Sequence, residues 1–201
     1  MNEGSGINLV ISGVGTASGG TYQNVEIKGV GTVNGDIRCV VGRVEGVATI
    51  VGSVAAENLS IQGKATIRGD VMGGAVTFEG QVKVSGRCNA DRFSGMGGVR
   101  IAGLLNADEV NLRLVGPTHI EEIGASVIRV VKEPVPTIFG RFKTLSANVI
   151  EGDDVYLENT QANVVRGNDV VLGVGCKIAS VEYRTAFKAH ETATVGQHSK
   201  V

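Results

Sequence analysis

Two stretches of the sequence are near copies of each other: Leu9-Val-Ile-Ser-Gly-Val-Gly-Thr-Ala-Ser-Gly19 and Val25-Glu-Ile-Lys-Gly-Val-Gly-Thr-Val-Asn-Gly35. Further copies follow at a constant, slightly longer interval, beginning at Gly42, Leu59, Val76, Phe93 and Val110. A fixed short period indicates a repeat architecture, in which each unit buries its apolar face against the next unit. The sequence therefore predicts a solenoid.

Each repeat contains three short runs in which apolar residues alternate with others. One copy carries these pairs: Leu59 and Ile61, Ala65 and Ile67, Val71 and Gly73. Alternation over a short run is typical of a strand with one buried face, and equivalent strands of successive repeats can pair in parallel. The predicted fold is an all-β parallel β-helix with triangular coils of about 17 residues.

Glycine recurs in two columns at the same step. The first column is Gly29, Gly46, Gly63, Gly80 and Gly97, and the second is Gly35, Gly52, Gly69, Gly86 and Gly103. Glycine adopts positive φ angles at little cost, so both columns are predicted to form sharp corners with positive φ. The third corner is more polar, with Glu57-Asn58 and Asp108-Glu109.

Outward positions of the repeat also form ladders. One ladder is Thr16, Thr32, Thr49 and Thr66. β-Branched hydroxyl residues pack well in such stacks. At another outward position Lys28 precedes Glu45 by one repeat, which avoids the stacking of like charges.

The repeat falters after Val110, and the chain is predicted to divide into four parts. Residues 1–130 form the main array. Residues 131–143 form a break, because the prolines of Lys132-Glu-Pro-Val-Pro136 lack the amide donor that a parallel ladder needs. Residues 144–184 form a second, shorter array, and residues 185–201 form a polar tail that is either frayed or capping.

The second array is predicted from a repeat with a shorter step. This repeat consists of two similar stretches, Asn148-Val-Ile-Glu-Gly-Asp-Asp-Val-Tyr-Leu157 and Asn163-Val-Val-Arg-Gly-Asn-Asp-Val-Val-Leu172. The step from Asn148 to Asn163 is two positions less than the step of the main array, for example from Leu59 to Val76. The sequence does not indicate whether these coils stack on the main array or fold beside it.

Composition argues against several classes of function. The net charge of −1, with acids and bases interspersed, gives no electrostatic basis for binding nucleic acid or an anionic membrane. No secretion signal or transmembrane segment is predicted. Three cysteines, Cys39, Cys88 and Cys176, without Cys-x-x-Cys spacing indicate small core hydrophobes and a reducing, cytoplasmic location.

No catalytic, cofactor or metal site is predicted. The scattered histidines His119, His190 and His198 are poor candidates for a ligand or base. The acidic pairs Glu121-Glu122 and Asp153-Asp154 are interpreted as solvated corners. Gly-Val-Gly-Thr superficially resembles a phosphate-binding loop, but neither Gly-Lys-[Ser/Thr] nor a helix follows it.

Self-association is the predicted use of the N-terminal end. Leu9 and Ile11 mark the first coil, and little sequence precedes them to cover it. Val14, Val30 and Val47 share one offset just past the first corner. If they face outward they form an apolar stripe suited to another subunit or a partner, whereas the alternative is that the corner turns them partly inward.

The same residues resemble the bactofilins, or polymer-forming cytoskeletal proteins. The resemblance rests on Val-x-Ile-x-Gly-x-Gly-Thr-Val-x-Gly-Asp-Ile at 25–37, on the matching run at 59–71, and on Gly103-Leu-Leu-Asn-Ala-Asp-Glu-Val110. It covers residues 9–130, and the later array, around Val164–Asn168 and Cys176–Tyr183, resembles the extended form of Gram-positive bacteria.

The resemblance implies a right-handed β-helix that polymerises without nucleotide into filaments and sheets. Such proteins act as scaffolds in cell shape, envelope growth or motility, so the expected partners are other copies of the chain and envelope or motility proteins. The expected location is the cytoplasm, including the inner face of the membrane. No functional residue is carried over, because the match lies in the structural repeat, and the second array makes end-to-end growth less secure.

Three other functions remain open from the sequence. A monomeric β-helix could bind a partner protein or a cell-wall component through its flat faces. A left-handed β-helix acyltransferase would need a period that is a multiple of six and a well-placed histidine. A sugar-cleaving β-helix would need longer coils, aromatic platforms and clustered acids on one face.

Overall fold

A computed structural model describes residues 6–134 and 143–201, and in these residues all regular structure is β-strand. The strands are β1 (Leu9–Thr21), β2 (Asn24–Val51), β3 (Val54–Ile67), β4 (Val71–Val84), β5 (Cys88–Leu114), β6 (Thr118–Lys132), β7 (Leu145–Leu157), β8 (Thr160–Leu172), β9 (Lys177–Ala189) and β10 (Thr194–Lys200). They form one sheet in chain order, and each strand pairs in parallel with the next.

The strands are long because each one bends around the corners of its coil without losing its partners. β3 contains three buried pairs, Val54 with Ala56, Leu59 with Ile61, and Ala65 with Ile67. These pairs are the three alternating runs of the repeat, and each run supplies one inward face. The described chain is a parallel β-solenoid of about 11 turns of roughly 17 residues, as predicted.

The core is a set of stacked apolar columns. Residues pair with their counterparts one repeat later, as in Val54 with Val71 and Ala65 with Val82, so that each inward side chain lies on its equivalent. Most inward positions carry Val, Ile, Leu or Ala, with Phe78 and Phe93 as the large exceptions. Branched aliphatic side chains fill such narrow columns well.

The two glycine columns serve different purposes, which corrects the prediction made for both. In the first column φ lies between +104° and +146°, so the corner does need glycine's backbone freedom. In the second column Gly35 alone has a positive φ. Gly86 is required for space, because a Cβ there would overlap the carboxylate of Asp70.

At this second corner, polar side chains form hydrogen bonds with the backbone of the next coil. Asp36 Oδ1 accepts a hydrogen bond from the Ser53 amide at 2.7 Å, and Ser53 Oγ accepts one from the Asp70 amide at 3.1 Å. Asp70 Oδ1 in turn accepts one from the Arg87 amide at 2.7 Å. The side chains thus provide acceptors for corner amides, and the absence of Cβ atoms from the neighbouring glycines leaves room for them.

The second array stacks directly on the main array. β6 runs to Lys132, inside the predicted break, and β7 pairs with β6 from Thr118↔Leu145 to Val130↔Leu157. Residues 135–142 of that break lie outside the described residues. The step then shortens between β7 and β8, where Val149 pairs with Val164, as predicted from the sequence.

Residues 185–201, assigned to a polar tail, contain the end of β9 and all of β10. β10 pairs in parallel with β9, for example Val195↔Ile178 and His198↔Val181. The ring of His198 lies 5.1 Å from that of Phe187. This segment therefore adds a further, mostly exposed coil to the stack.

Candidate self-association surface

The apolar stripe predicted from the shared offset faces solvent. Val14, Val30 and Val47 are 87%, 47% and 41% exposed. Each follows a glycine with positive φ, which turns the chain so that the next side chain points away from the core. All three side chains are thus exposed, although the exposed fraction falls by about half from Val14 to Val47.

The stripe runs along the axis over three coils. Val14 pairs with Val30, and Val47 pairs with Lys64, after which Gln81 follows in the column. The apolar part of this corner is therefore confined to the coils nearest β1. Beyond Val47 the column continues with the charged Lys64 and the polar Gln81.

The two residues predicted to mark the first coil differ in role. Ile11 is a core residue, only 7% exposed, and its Cδ1 reaches toward Gly31 in the next coil. Leu9 is half-buried and packs against the same core. Substituting Ile11 would thus disturb packing, which makes it a poor probe of association.

Val10 and Ile7 are exposed residues that the repeat pattern alone did not single out. They are 58% and 71% exposed. Val10 lies between the inward residues Leu9 and Ile11, so alternation alone places it outward, and its counterpart one coil later is Glu26. Val10 could have been identified from the sequence, because it is apolar at an outward position where the next copy of the repeat carries the charged Glu26.

β1 is one of the two edge strands of the described sheet. An edge strand presents amide and carbonyl groups that can pair with another strand. Exposed apolar side chains at Ile7, Val10 and Val14 lie on or next to this strand. In the described part of the chain, the first coil thus combines an edge strand with exposed apolar side chains, and both features favour stacking on another chain.

The cysteines are core residues, as predicted. Cys39, Cys88 and Cys176 are free and buried. Burial raises the pKa of Cys88 to about 12, and burial also raises the pKa values of Cys39 and Cys176. The Sγ of Cys176 donates a hydrogen bond to the Leu157 carbonyl oxygen at 3.1 Å.

Thiol alkylation is expected to report unfolding. The folded protein should react with iodoacetamide at mildly alkaline pH far more slowly than a model thiol, because the thiolate is the reactive form and burial disfavours it. All three cysteines should react once denaturant unfolds the chain. Mass spectrometry counts the adducts, and rapid labelling of Cys88 without denaturant would contradict its burial.

The histidines and acidic pairs lie apart from the stripe. His119 Nε2 is 3.7 Å from Glu121, and His190 Nδ1 is 2.9 Å from the Thr192 hydroxyl oxygen. Asp153 and Asp154 are exposed residues of β7, and Asn168 Nδ2 donates a hydrogen bond to Asp153 Oδ1 at 2.8 Å. Among the described residues no group of three or more His, Cys, Asp or Glu side chains is arranged to hold a metal ion.

A polar groove of about 650 Å³ lies beside the second array. Arg166 lies within it and pairs with Glu182 at 2.8 Å and with Glu151 at 3.8 Å. These bonds raise the pKa of Arg166, with the Glu182 hydrogen bond as the main cause. The guanidinium of Arg166 is therefore already matched by carboxylates of its own face.

No helix in residues 6–134 or 143–201 is both long and apolar enough to cross a membrane. No protein-family model matches the chain, and no solved structure matches it.

Two proteins of Bacillus subtilis (strain 168) are similar to part of it. The uncharacterized protein YhbF is 41% identical over 85 residues, which are 42% of this chain and 35% of YhbF. The uncharacterized protein YhbE is 36% identical over 76 residues, which are 38% of this chain and 28% of YhbE. The chain thus spans about a third of the length of the relatives it matches.

Proposed function

We propose that this protein is a non-enzymatic scaffold that assembles without nucleotide into a bacterial cytoskeletal polymer. The observation that carries the proposal is the exposure of Ile7, Val10 and Val14 beside the edge strand β1. Burying these side chains and pairing that edge with a second copy would extend the stack of coils. The resemblance to bactofilins supports the same function.

The proposed setting is the cytoplasm at the inner face of the membrane, with roles in cell shape, envelope growth or motility. The three cysteines are all free, which suits a reducing compartment. The proposed partners are further copies of the chain and proteins of the envelope or the motility machinery. A nucleotide plays no part in this assembly, because the contact is made of apolar area and main-chain hydrogen bonds.

Electron microscopy and sedimentation velocity of the purified protein without nucleotide test the proposal. Filaments or large oligomers are expected in the wild type. The variant Val10→Lys with Val14→Lys should weaken association at least tenfold, because each buried valine is worth roughly 1.5 kcal/mol or more. Far-ultraviolet circular dichroism should be unchanged, since both side chains face solvent.

The matched control is Met72→Lys with Val127→Lys. These residues are 52% and 42% exposed and lie on β4 and β6, not on β1. Both double variants introduce two lysines, so the change in net charge is the same. Assembly of the control should match that of the wild type. A wild type that stays monomeric at high concentration, or equal losses in both double variants, would refute the proposal.

A further inference from the structure

One outward column carries hydrogen-bond donors along the whole described stack. Its members, called the donor column here, are Thr16, Thr32, Thr49, Thr66, Lys83, Arg100, His119, Ser146, Gln161, Lys177 and Thr194. The predicted threonine ladder is the first part of it. No carboxylate interrupts the column, although Asp and Glu are as common as Lys and Arg in the chain.

The centre of the donor column stacks like charges. Lys83 pairs with Arg100, and Arg100 pairs with His119, so the two permanent cations lie on adjacent strands. Neighbouring strands are about 4.8 Å apart, and like charges directly opposite each other are unfavourable. The donor column contains no carboxylate that would offset this repulsion.

Three cations elsewhere in the described chain are matched by carboxylates. Lys28 lies 2.8 Å from Glu26, Arg113 pairs with Glu133, and Arg166 pairs with two glutamates. Within the described ranges, no ion pair involves Lys83 or Arg100, and none involves Lys64 beside them. In the strand pairings of the described residues, Lys83 and Arg100 are the one Lys/Arg pair that lies directly opposite each other, and this stacking distinguishes the face.

The cations border a groove of about 730 Å³. Lys64, Lys83, Arg100 and His119 line it, and the described residues that line it include no Asp or Glu. Gly98 allows the next coil to approach closely, since a Cβ there would lie 2.9 Å from the Pro117 carbonyl oxygen. The remaining polar lining consists of the neutral residues Thr66, Gln81, Thr118, Thr144, Ser146 and Gln161.

We infer that this groove binds a linear polyanion of phosphate groups, laid along the solenoid axis. Arginine and lysine favour phosphate oxygens, and the hydroxyl and amide groups add neutral donors. The regular rise between coils presents these donors at even intervals, which suits a chain of repeated anions. The site does not depend on assembly at β1.

The shape and lining of the groove favour a bare phosphate chain over two other polyanions. Single-stranded nucleic acid is usually held by aromatic side chains that stack on its bases. His119 is the one ring with aromatic character among the described residues that line this groove. A membrane presents a flat surface of headgroups, which enters a groove poorly. A phosphate polymer can enter the groove and needs no stacking platform.

Isothermal titration of the whole chain with inorganic tripolyphosphate, and then with longer polyphosphate, tests the inference. Binding should be stronger for the longer chain. The variant Lys83→Gln with Arg100→Gln should weaken it about a hundredfold, since each charge-assisted contact is worth about tenfold. The control Lys28→Gln with Arg113→Gln removes the same charge from carboxylate-paired sites and should change affinity about twofold at most.

Three outcomes would overturn the inference. The first is a wild type that binds neither phosphate chain at low ionic strength. The second is an equal loss of affinity in the two double variants, which would indicate attraction by net charge alone. The third is that the wild type binds phosphatidylglycerol vesicles or single-stranded DNA more tightly than polyphosphate of equal charge, and that this binding depends on Lys83 and Arg100. The occupant of the groove would then belong to a different class.

Discussion

Replacing Gly80 with alanine is expected to lower the free energy of unfolding by about 2 to 4 kcal/mol. Gly80 has a φ of +128°, a conformation that residues with a Cβ rarely adopt. Its Cβ would also overlap the carbonyl oxygen of Gly63 in the coil before it. Both the corner and the stacking of two coils must therefore shift to accept one methyl group.

Gly13→Ala separates these two causes. Gly13 also has a positive φ, +84°, but nothing lies within 4 Å of the position its Cβ would take. This variant should lose only the conformational part, about 1 to 2 kcal/mol. Urea unfolding followed by circular dichroism gives both values. Equal losses would show that backbone conformation alone requires glycine in this column.

The glycine columns show how far the sequence alone could predict the fold. The constant step between copies and the three alternating runs were enough to predict parallel coils. Spacing alone does not reveal why a glycine recurs. Gly86 has to leave room for the carboxylate of Asp70, and this need depends on side-chain positions in the neighbouring coil.

The continuity of the stack was less predictable. The prolines after Lys132 and the change to a shorter step indicated a break, yet β7 pairs with β6. The described coils on either side of the interruption remain in register, since residues Thr118 to Val130 of β6 pair with residues Leu145 to Leu157 of β7. Sequence shows that the repeat is interrupted, but not whether the next coil returns to the same sheet.

The candidate surface was predicted in part. The shared offset was enough to identify Val14, Val30 and Val47. Their outward direction could not be predicted, because it depends on the φ of the preceding glycine. The sequence marks Ile11 as part of the first coil, and only the structure shows that the next coil already covers it.

Removing the ring of Phe93 is expected to cost about 3 to 5 kcal/mol of stability in the variant Phe93→Ala. The ring is 1% exposed and lies 5.5 Å from the ring of Phe78, at an interplanar angle of 42°. The column beside it contains Gly95, which offers no side chain to fill the space. The cavity would therefore remain, since stacked coils on both sides hold the backbone in place.

Urea unfolding of Phe93→Ala, Phe78→Ala and the double variant measures how strongly the two rings depend on each other. A coupling of about 0.5 to 1.5 kcal/mol is expected for rings in contact. The control Val127→Ala, at a position 42% exposed, should change stability by about 0.5 kcal/mol or less. Strict additivity of the two phenylalanine variants would contradict a shared aromatic contact, and a loss no larger than the control's would show that the solenoid closes around the missing ring.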